Sequence, residues 1–158
     1  MMDIKFQKRL RLKYFSYTGF YKYFVTIVCN GKIPVFADES IVKEILELLK
    51  DISLSYGFSI WAYCFMPEHL HLLIEGQKED SNLKKFIPML KQKTSYVYRK
   101  KTGGKLWQEN YYEHVLRKDE DIKNVARYVL ENPMRRKLAD NFVNFPFSGS
   151  FVFDVKEL

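Results

Sequence analysis

The chain has 158 residues, room for one domain with a real core and too few for two comfortable ones. Apolar residues make up 47%, enough to fold, and no apolar run is long enough to span a bilayer. Lys and Arg number 26 against 19 Asp and Glu, and the resulting net charge of +7 points to an anionic partner, nucleic acid or a membrane surface.

Residues 1–18 form a basic arm carrying Lys8, Arg9, Arg11 and Lys13. It lacks the apolar stretch of a secretory segment. Residues 20–30 are aromatic and β-branched and predict a strand that Asn30 and Gly31 end. From Asp38 the apolar residues Ile41, Ile45, Leu48 and Leu49 recur at helical spacing, giving a helix to about Tyr56 with Gly57 as its stop. Residues 58–66 and 68–75 read as two strands around Pro67. Residues 82–101 read as a second helix, with Pro88 as a kink or a late start. The segment "TGGK" at 102–105 is a loop, and residues 111–117 form a short strand. A third helix covers 119–131 and stops at Asn132–Pro133. The order β-α-β-β-α-β-α is most economically an α+β fold of ferredoxin-like type, split βαβ halves on one antiparallel sheet. Cys29 and Cys64 fall inside apolar runs without the spacing of a metal knuckle or a redox pair. Two buried free thiols in a cytoplasmic protein are expected.

"MPEHLHLLIEG", residues 66–76, interrupts an apolar strand with two of the chain's three histidines. A strand has period two, so His69, His71 and Leu73 share one face, while Glu68, Leu70, Leu72 and Ile74 take the other. The second face packs under helices. On the first, two Cα atoms roughly 6.6 Å apart let both imidazoles converge on one metal ion. Two imidazoles alone do not fix a metal, so a third ligand comes from elsewhere. In "NVARYVLENP", Tyr128 and Asn132 are four residues apart and share a helix face. Alone, each has an ordinary structural explanation; beside the histidine strand their spacing becomes informative.

No acidic residue occurs from Ser81 to Lys105, a span that holds Lys84, Lys85, Lys91, Lys93, Arg99, Lys100, Lys101 and Lys105. Tyr96 and Tyr98 are interleaved with them, which suits backbone contact plus base stacking on a single strand. Arg135, Arg136 and Lys137 follow the third helix. The DNA-contacting set is therefore read as Lys84, Lys85, Lys91, Lys93, Tyr96, Arg99, Lys100, Arg135 and Arg136.

The stretches "MPEHLHLLI", "KLWQENYYEHVLRKDEDIKNVARYVLENPMRRKL" and "FPFSGS" together resemble the REP-associated tyrosine transposases, within the single-tyrosine HUH transposases of the smallest insertion sequences. The likeness runs over roughly residues 15 to 151. It implies one HUH domain over 1–158, with 139–158 as its tail and an added C-terminal catalytic helix. It implies metal ligation by His69, His71 and Asn132, with Mg²⁺ or Mn²⁺ as the ion, and Tyr128 as the nucleophile. It implies cleavage and rejoining of single-stranded DNA through a 5′-phosphotyrosine link at hairpins formed by palindromic repeats. A cytoplasmic, nucleoid-associated protein, monomer or homodimer, follows, with no membrane partner. The tail departs in detail from the usual aromatic-serine-serine pattern. Tyr111 and Tyr112 are competing phenols without an amide one turn on, and His114 is placed outside the metal site, facing DNA or the sheet surface. Two rival readings stay open: a metal-dependent phosphodiesterase that uses water, and a non-catalytic nucleic-acid-binding module of the same fold.

Overall fold

A computed structural model describes residue 12 and residues 14–158. Lys8, Arg9, Arg11 and Lys13 of the basic arm lie outside the described residues. The arm ends earlier than residue 18, because Tyr17 is buried and its hydroxyl donates to Glu113 Oε1 at 2.8 Å.

Five antiparallel strands make one sheet in the order β4-β1-β3-β2-β5. β1 is Lys22–Val28, β2 Phe58–Met66, β3 His69–Gly76, β4 Tyr112–Val115 and β5 Ser148–Gly149. The first four give the expected ferredoxin-like order. Helices α1 (Glu39–Ser55) and α2 (Leu83–Thr102) cover one face. Ile45 and Leu49 of α1 and Phe86, Ile87 and Leu90 of α2 pack there on Leu70, Leu72 and Ile74 of β3. The Asp38 side chain caps α1 by accepting from Ser40 N at 2.9 Å. Pro88 does not delay α2, which begins at Leu83; it sits exposed inside the helix. Gly103, at φ 75, closes α2 in the left-handed conformation.

The other face carries α3 (Ile122–Leu130). Asp121 caps it by accepting from Lys123 N at 2.8 Å. Val125, Ala126, Val129 and Leu130 pack on Phe24, Ala62, Cys64, Met66 and Leu73. α3 ends just before Asn132–Pro133, as expected, but helical structure does not stop there. The chain pauses at Glu131 and resumes as α4 (Asn132–Arg135), because a proline is tolerated in a first turn, where its missing N–H has no helical partner.

The tail is built into the sheet. β5 pairs with Tyr63 and Cys64 of β2, Phe65 N donates to Phe147 O at 2.8 Å, and Phe151 N donates to Ile60 O at 3.1 Å. Phe145, Phe153, Val155 and Leu158 pack against the α3 cluster. A side chain at Gly149 would put its Cβ 2.7 Å from the Tyr63 hydroxyl oxygen and 3.0 Å from its Cζ. Gly149→Ala is therefore expected to cost about 1–3 kcal/mol of unfolding stability, and Tyr63→Phe in the same chain to restore only part of it. Chemical denaturation of the two variants checks this; an unchanged midpoint for Gly149→Ala would mean that the tail does not hold this register.

Candidate functional site

Strand register assembles the site. His71 on β3 faces Thr26 on β1, and Thr26 faces Tyr112 on β4, so the three lie in one row across the sheet. His69 faces Val28 in the next row. All of them are on the α3 side, because Leu70, Leu72 and Ile74 take the other face. A cavity of about 410 Å³ opens there. His69, His71 and Asn132 line it together with Thr26, Val28, Lys32, Glu68, Gln108 and Tyr112.

The two Nε2 atoms stand 2.8 Å apart. Two nitrogens on neighbouring corners of a shell with about 2.1 Å bonds sit about 3 Å apart, so the pair has the spacing of two ligands of one ion. Their outer nitrogens are engaged. His69 Nδ1 lies 3.0 Å from Glu68 Oε1, and His71 Nδ1 lies 2.9 Å from Thr26 Oγ1. A carboxylate can only accept, so it holds the His69 proton on Nδ1 and leaves the Nε2 lone pair facing the cavity. The Thr26 hydroxyl can donate or accept. When it accepts, both Nε2 lone pairs point at each other and require a cation between them; when it donates, the His71 Nε2 proton fills the gap.

Electrostatics favour neutral, ligand-competent rings. Burial drives the His71 pKa well below the usual imidazole value, with His69, Arg135 and Arg136 adding to the effect. Burial also lowers His69, against an opposing pull from Glu68. Burial alone would raise Glu68, but hydrogen bonding and charge from Arg136, with His69, outweigh it and hold the carboxyl below its usual range. Arg136 Nη1 donates to Glu68 Oε1, so one carboxylate ties the residue after α4 to the first histidine. The expectation that Glu68 points away with Leu70 fails because Glu68 lies in the Pro67–Glu68 turn before β3 begins, outside the strand's alternation.

Asn132 reaches the cavity from the start of α4. Tyr128 is not among the described residues that line it. It lies one turn earlier, half-buried, with the Arg135 guanidinium 4.0 Å above its ring and Arg135 Nη2 donating to its carbonyl at 2.7 Å. Of the competing phenols, Tyr111 is buried in the α1–α2 core, whereas Tyr112 lines the cavity. His114 is on the α3 side of β4, as its pairing with Phe24 shows, and its Nε2 sits 2.8 Å from Glu120 Oε1. That contact ties the loop before α3 to the sheet. Among the described residues no three His, Cys, Asp or Glu side chains gather around a metal-sized centre, and the carboxamides of Asn132 and Gln108 line the cavity beside the histidine pair.

The basic residues divide. Arg136 reaches Glu68 at the cavity, and Arg135 lies over the Tyr128 ring. Lys84, Lys85, Lys93, Tyr96, Arg99 and Lys100 lie on α2, across the sheet from the histidines. Tyr96 is 63% exposed with Lys100 Nζ 5.2 Å from its ring centre, an arrangement open to a base. Lys84 Nζ lies 4.8 Å from the Tyr17 ring centre. Lys91 is different: its Nζ donates to Gln108 O at 3.0 Å and Asn110 O at 2.8 Å, clamping the loop that carries Gln108 into the cavity. Thr26, Lys32, Gln108 and Glu68 were missed as site residues in the sequence. Thr26 alone left a signal, a hydroxyl at a central position of an otherwise apolar strand.

A model of the family described as "Transposase IS200 like" matches residues 18–132. The chain belongs to that family. The chain is 29% identical over 148 residues to a Haemophilus influenzae protein assigned to the REP-associated tyrosine transposases, covering 85% of this chain and 81% of that one. It is 24% identical over 91 residues to the REP-associated tyrosine transposase of Escherichia coli, covering 58% and 53%. Its fold matches the structure of a REP-associated tyrosine transposase bound to a REP hairpin, with a TM-score of 0.70 over 90% of this chain and 82% of the other at 19% identity. It also matches a Deinococcus radiodurans protein assigned as a transposase, with a TM-score of 0.53 over 78% and 97%. The resemblance read from the histidine and tyrosine motifs thus holds, and with it a role in DNA binding and transposition. No helix among the described residues is long and apolar enough to cross a membrane.

The split between α2 and the cavity yields a test. Lys91→Met should lower unfolding stability by about 1–2 kcal/mol through two lost charge-assisted bonds and leave the salt dependence of DNA binding unchanged. Lys93→Gln with Arg99→Gln should do the reverse, flattening the salt slope by about 0.7 per lost phosphate contact on a single strand. Equal salt-slope losses from both variants would return Lys91 to the DNA.

Proposed function

We propose that this transposase is a divalent-metal-dependent enzyme that cuts and rejoins single-stranded DNA beside hairpin-forming palindromic repeats, through a 5′-phosphotyrosine link. The observation that carries the reading is the pair of Nε2 atoms 2.8 Å apart in a cavity shared with Asn132. The hairpin named with the solved relative and the REP-associated names of the curated relatives support the choice of substrate. The whole chain acts as one such domain, since the tail supplies a strand and packs on α3.

His69, His71 and Asn132 would hold Mg²⁺ or Mn²⁺, the imidazoles favouring Mn²⁺. Bound there, the ion supplies Lewis-acid polarisation of a phosphate oxygen. Thr26 and Glu68 orient the two imidazoles, and Arg136 keeps Glu68 ionised and aimed. Tyr128 attacks phosphorus with its phenol oxygen. The bond from phosphorus to the 3′ oxygen breaks, the phenol gives up its proton, and the leaving oxygen ends as a 3′-hydroxyl. The new phosphotyrosine keeps the bond energy, so a later 3′-hydroxyl can reverse the step without ATP. For attack, the Tyr128 ring swings from beneath Arg135 toward the cavity one turn away.

One observation favours a second assignment of the nucleophile: Tyr112 already lines the cavity. A 3′-labelled hairpin oligonucleotide with Mn²⁺ separates the two. Under the first assignment, Tyr128→Phe abolishes the labelled protein band seen after denaturation, while Tyr112→Phe keeps it. The opposite pattern makes Tyr112 the nucleophile. Cleavage without a band in any variant favours attack by water.

Metal dependence is tested by the residues behind the ligands. Thr26→Val removes the partner of His71 Nδ1 and should weaken Mn²⁺ binding roughly 10-fold or more, read by titration calorimetry. His69→Ala should abolish cleavage while hairpin binding persists. Cleavage by His69→Ala at the wild-type rate would sink the metal assignment.

A further inference from the structure

We propose that Lys32 is a further catalytic residue, its ammonium meeting the scissile phosphate in the cavity that the histidines line. This rests on the strand-cleaving reading above. Three observations carry it.

The first is placement. Val28 faces His69, and four residues later the chain turns back so that Lys32 lines the same cavity. The turn is not a loose loop. Asn30 N donates to Leu106 O at 2.8 Å, Gln108 N donates to Val28 O at 3.0 Å, and Lys32 N donates to Cys29 O at 3.0 Å. These bonds zip residues 28–30 to 106–108 and fix where the lysine starts.

The second is charge. Among the described residues that line the cavity, Lys32 and Glu68 are the formally charged ones, and Glu68 is taken up by Arg136 and His69. A phosphodiester entering the cavity therefore meets one lysine there. Its ammonium can follow the charge that builds on the phosphoryl oxygens during in-line displacement.

The third is backbone conformation. Lys32 has φ 53, directly after Gly31 at φ 64. The left-handed region disfavours a side chain with a Cβ, and glycine or asparagine is the ordinary occupant. A lysine held there at a cavity wall fits a side chain kept for what it does rather than for what the turn prefers.

The test compares Lys32→Gln, Lys32→Arg and Lys32→Gly with the full chain, using the labelled hairpin and Mn²⁺. At saturating DNA, Gln and Gly should slow release of the 3′-hydroxyl strand roughly 10- to 100-fold, with hairpin Kd changed less than about threefold. Arg should recover most of the rate, since it restores the charge. Lys32→Gly should melt no lower than the wild type, because glycine suits the turn, so its slow cleavage is not misfolding. Wild-type rates in Lys32→Gln overturn the assignment. So does a loss confined to Kd, which would make Lys32 a binding contact only. A wild-type chain that cleaves no hairpin overturns the strand-cleaving reading and this assignment with it.

Discussion

Everything at the cavity depends on how closely α3 lies against the sheet. Ala126 on the helix and Ala62 on β2 are buried there beside Val125, Val129, Leu130, Phe24 and Leu73. Small residues on both sides let the helix approach. The buried valines and leucine contribute about 1.5–3 kcal/mol each relative to exposure, which is enough to hold the helix in one orientation. That orientation decides where Asn132 arrives. The amide cannot be carried by the strand that bears the histidines, so the geometry of the cavity is set by apolar packing some residues away from any polar group that lines it. The tail reinforces this, since Phe145, Phe153, Val155 and Leu158 close over the same cluster and β5 fixes them to β2.

The polar half of the site is a chain of oriented groups. Arg136 fixes Glu68, Glu68 fixes His69, and Thr26 on the neighbouring strand fixes His71. Each link removes a rotational freedom or a tautomer that an isolated imidazole would have. Burial then keeps the rings neutral, and neutrality is what ligation requires. A positively charged ring would repel a cation and would occupy the 2.8 Å gap between the two Nε2 atoms with its own proton. The Arg136 link also means that α4 and the histidine strand are not independent: the segment that brings Asn132 to the cavity is latched to the strand by the residue directly after it.

Much of this was legible in the sequence, and the parts that were not share a cause. The strand and helix order, the shared face of His69 and His71, and the position of Asn132 follow from periods of two and of 3.6 within one element. Glu68 was assigned the wrong direction because period two was extended one residue past the end of the strand. Thr26, Gln108 and Tyr112 join the site through register between strands distant in sequence, and no local pattern carries register. The two carbonyls that the Lys91 ammonium meets are invisible in the sequence, because a basic position on a helix carries no mark of them. The tail left even less trace, since a two-residue strand is too short to show alternation.

Three positions where local preference is overridden converge. His71 is 3% exposed in an apolar strand, Asn132 starts a new helical turn with proline next to it, and Lys32 holds a left-handed backbone. They come from three separate elements, and all three side chains meet one cavity. An override of preference is not by itself functional. Tyr17, at φ 57, is left-handed too, yet it is explained where it stands: its ring is buried and its hydroxyl bridges Leu12 N and Glu113. What separates the cavity residues from Tyr17 is the space they share. All three line one cavity of about 410 Å³, and a sequence that satisfied every local rule at those three positions would line it with fewer polar groups.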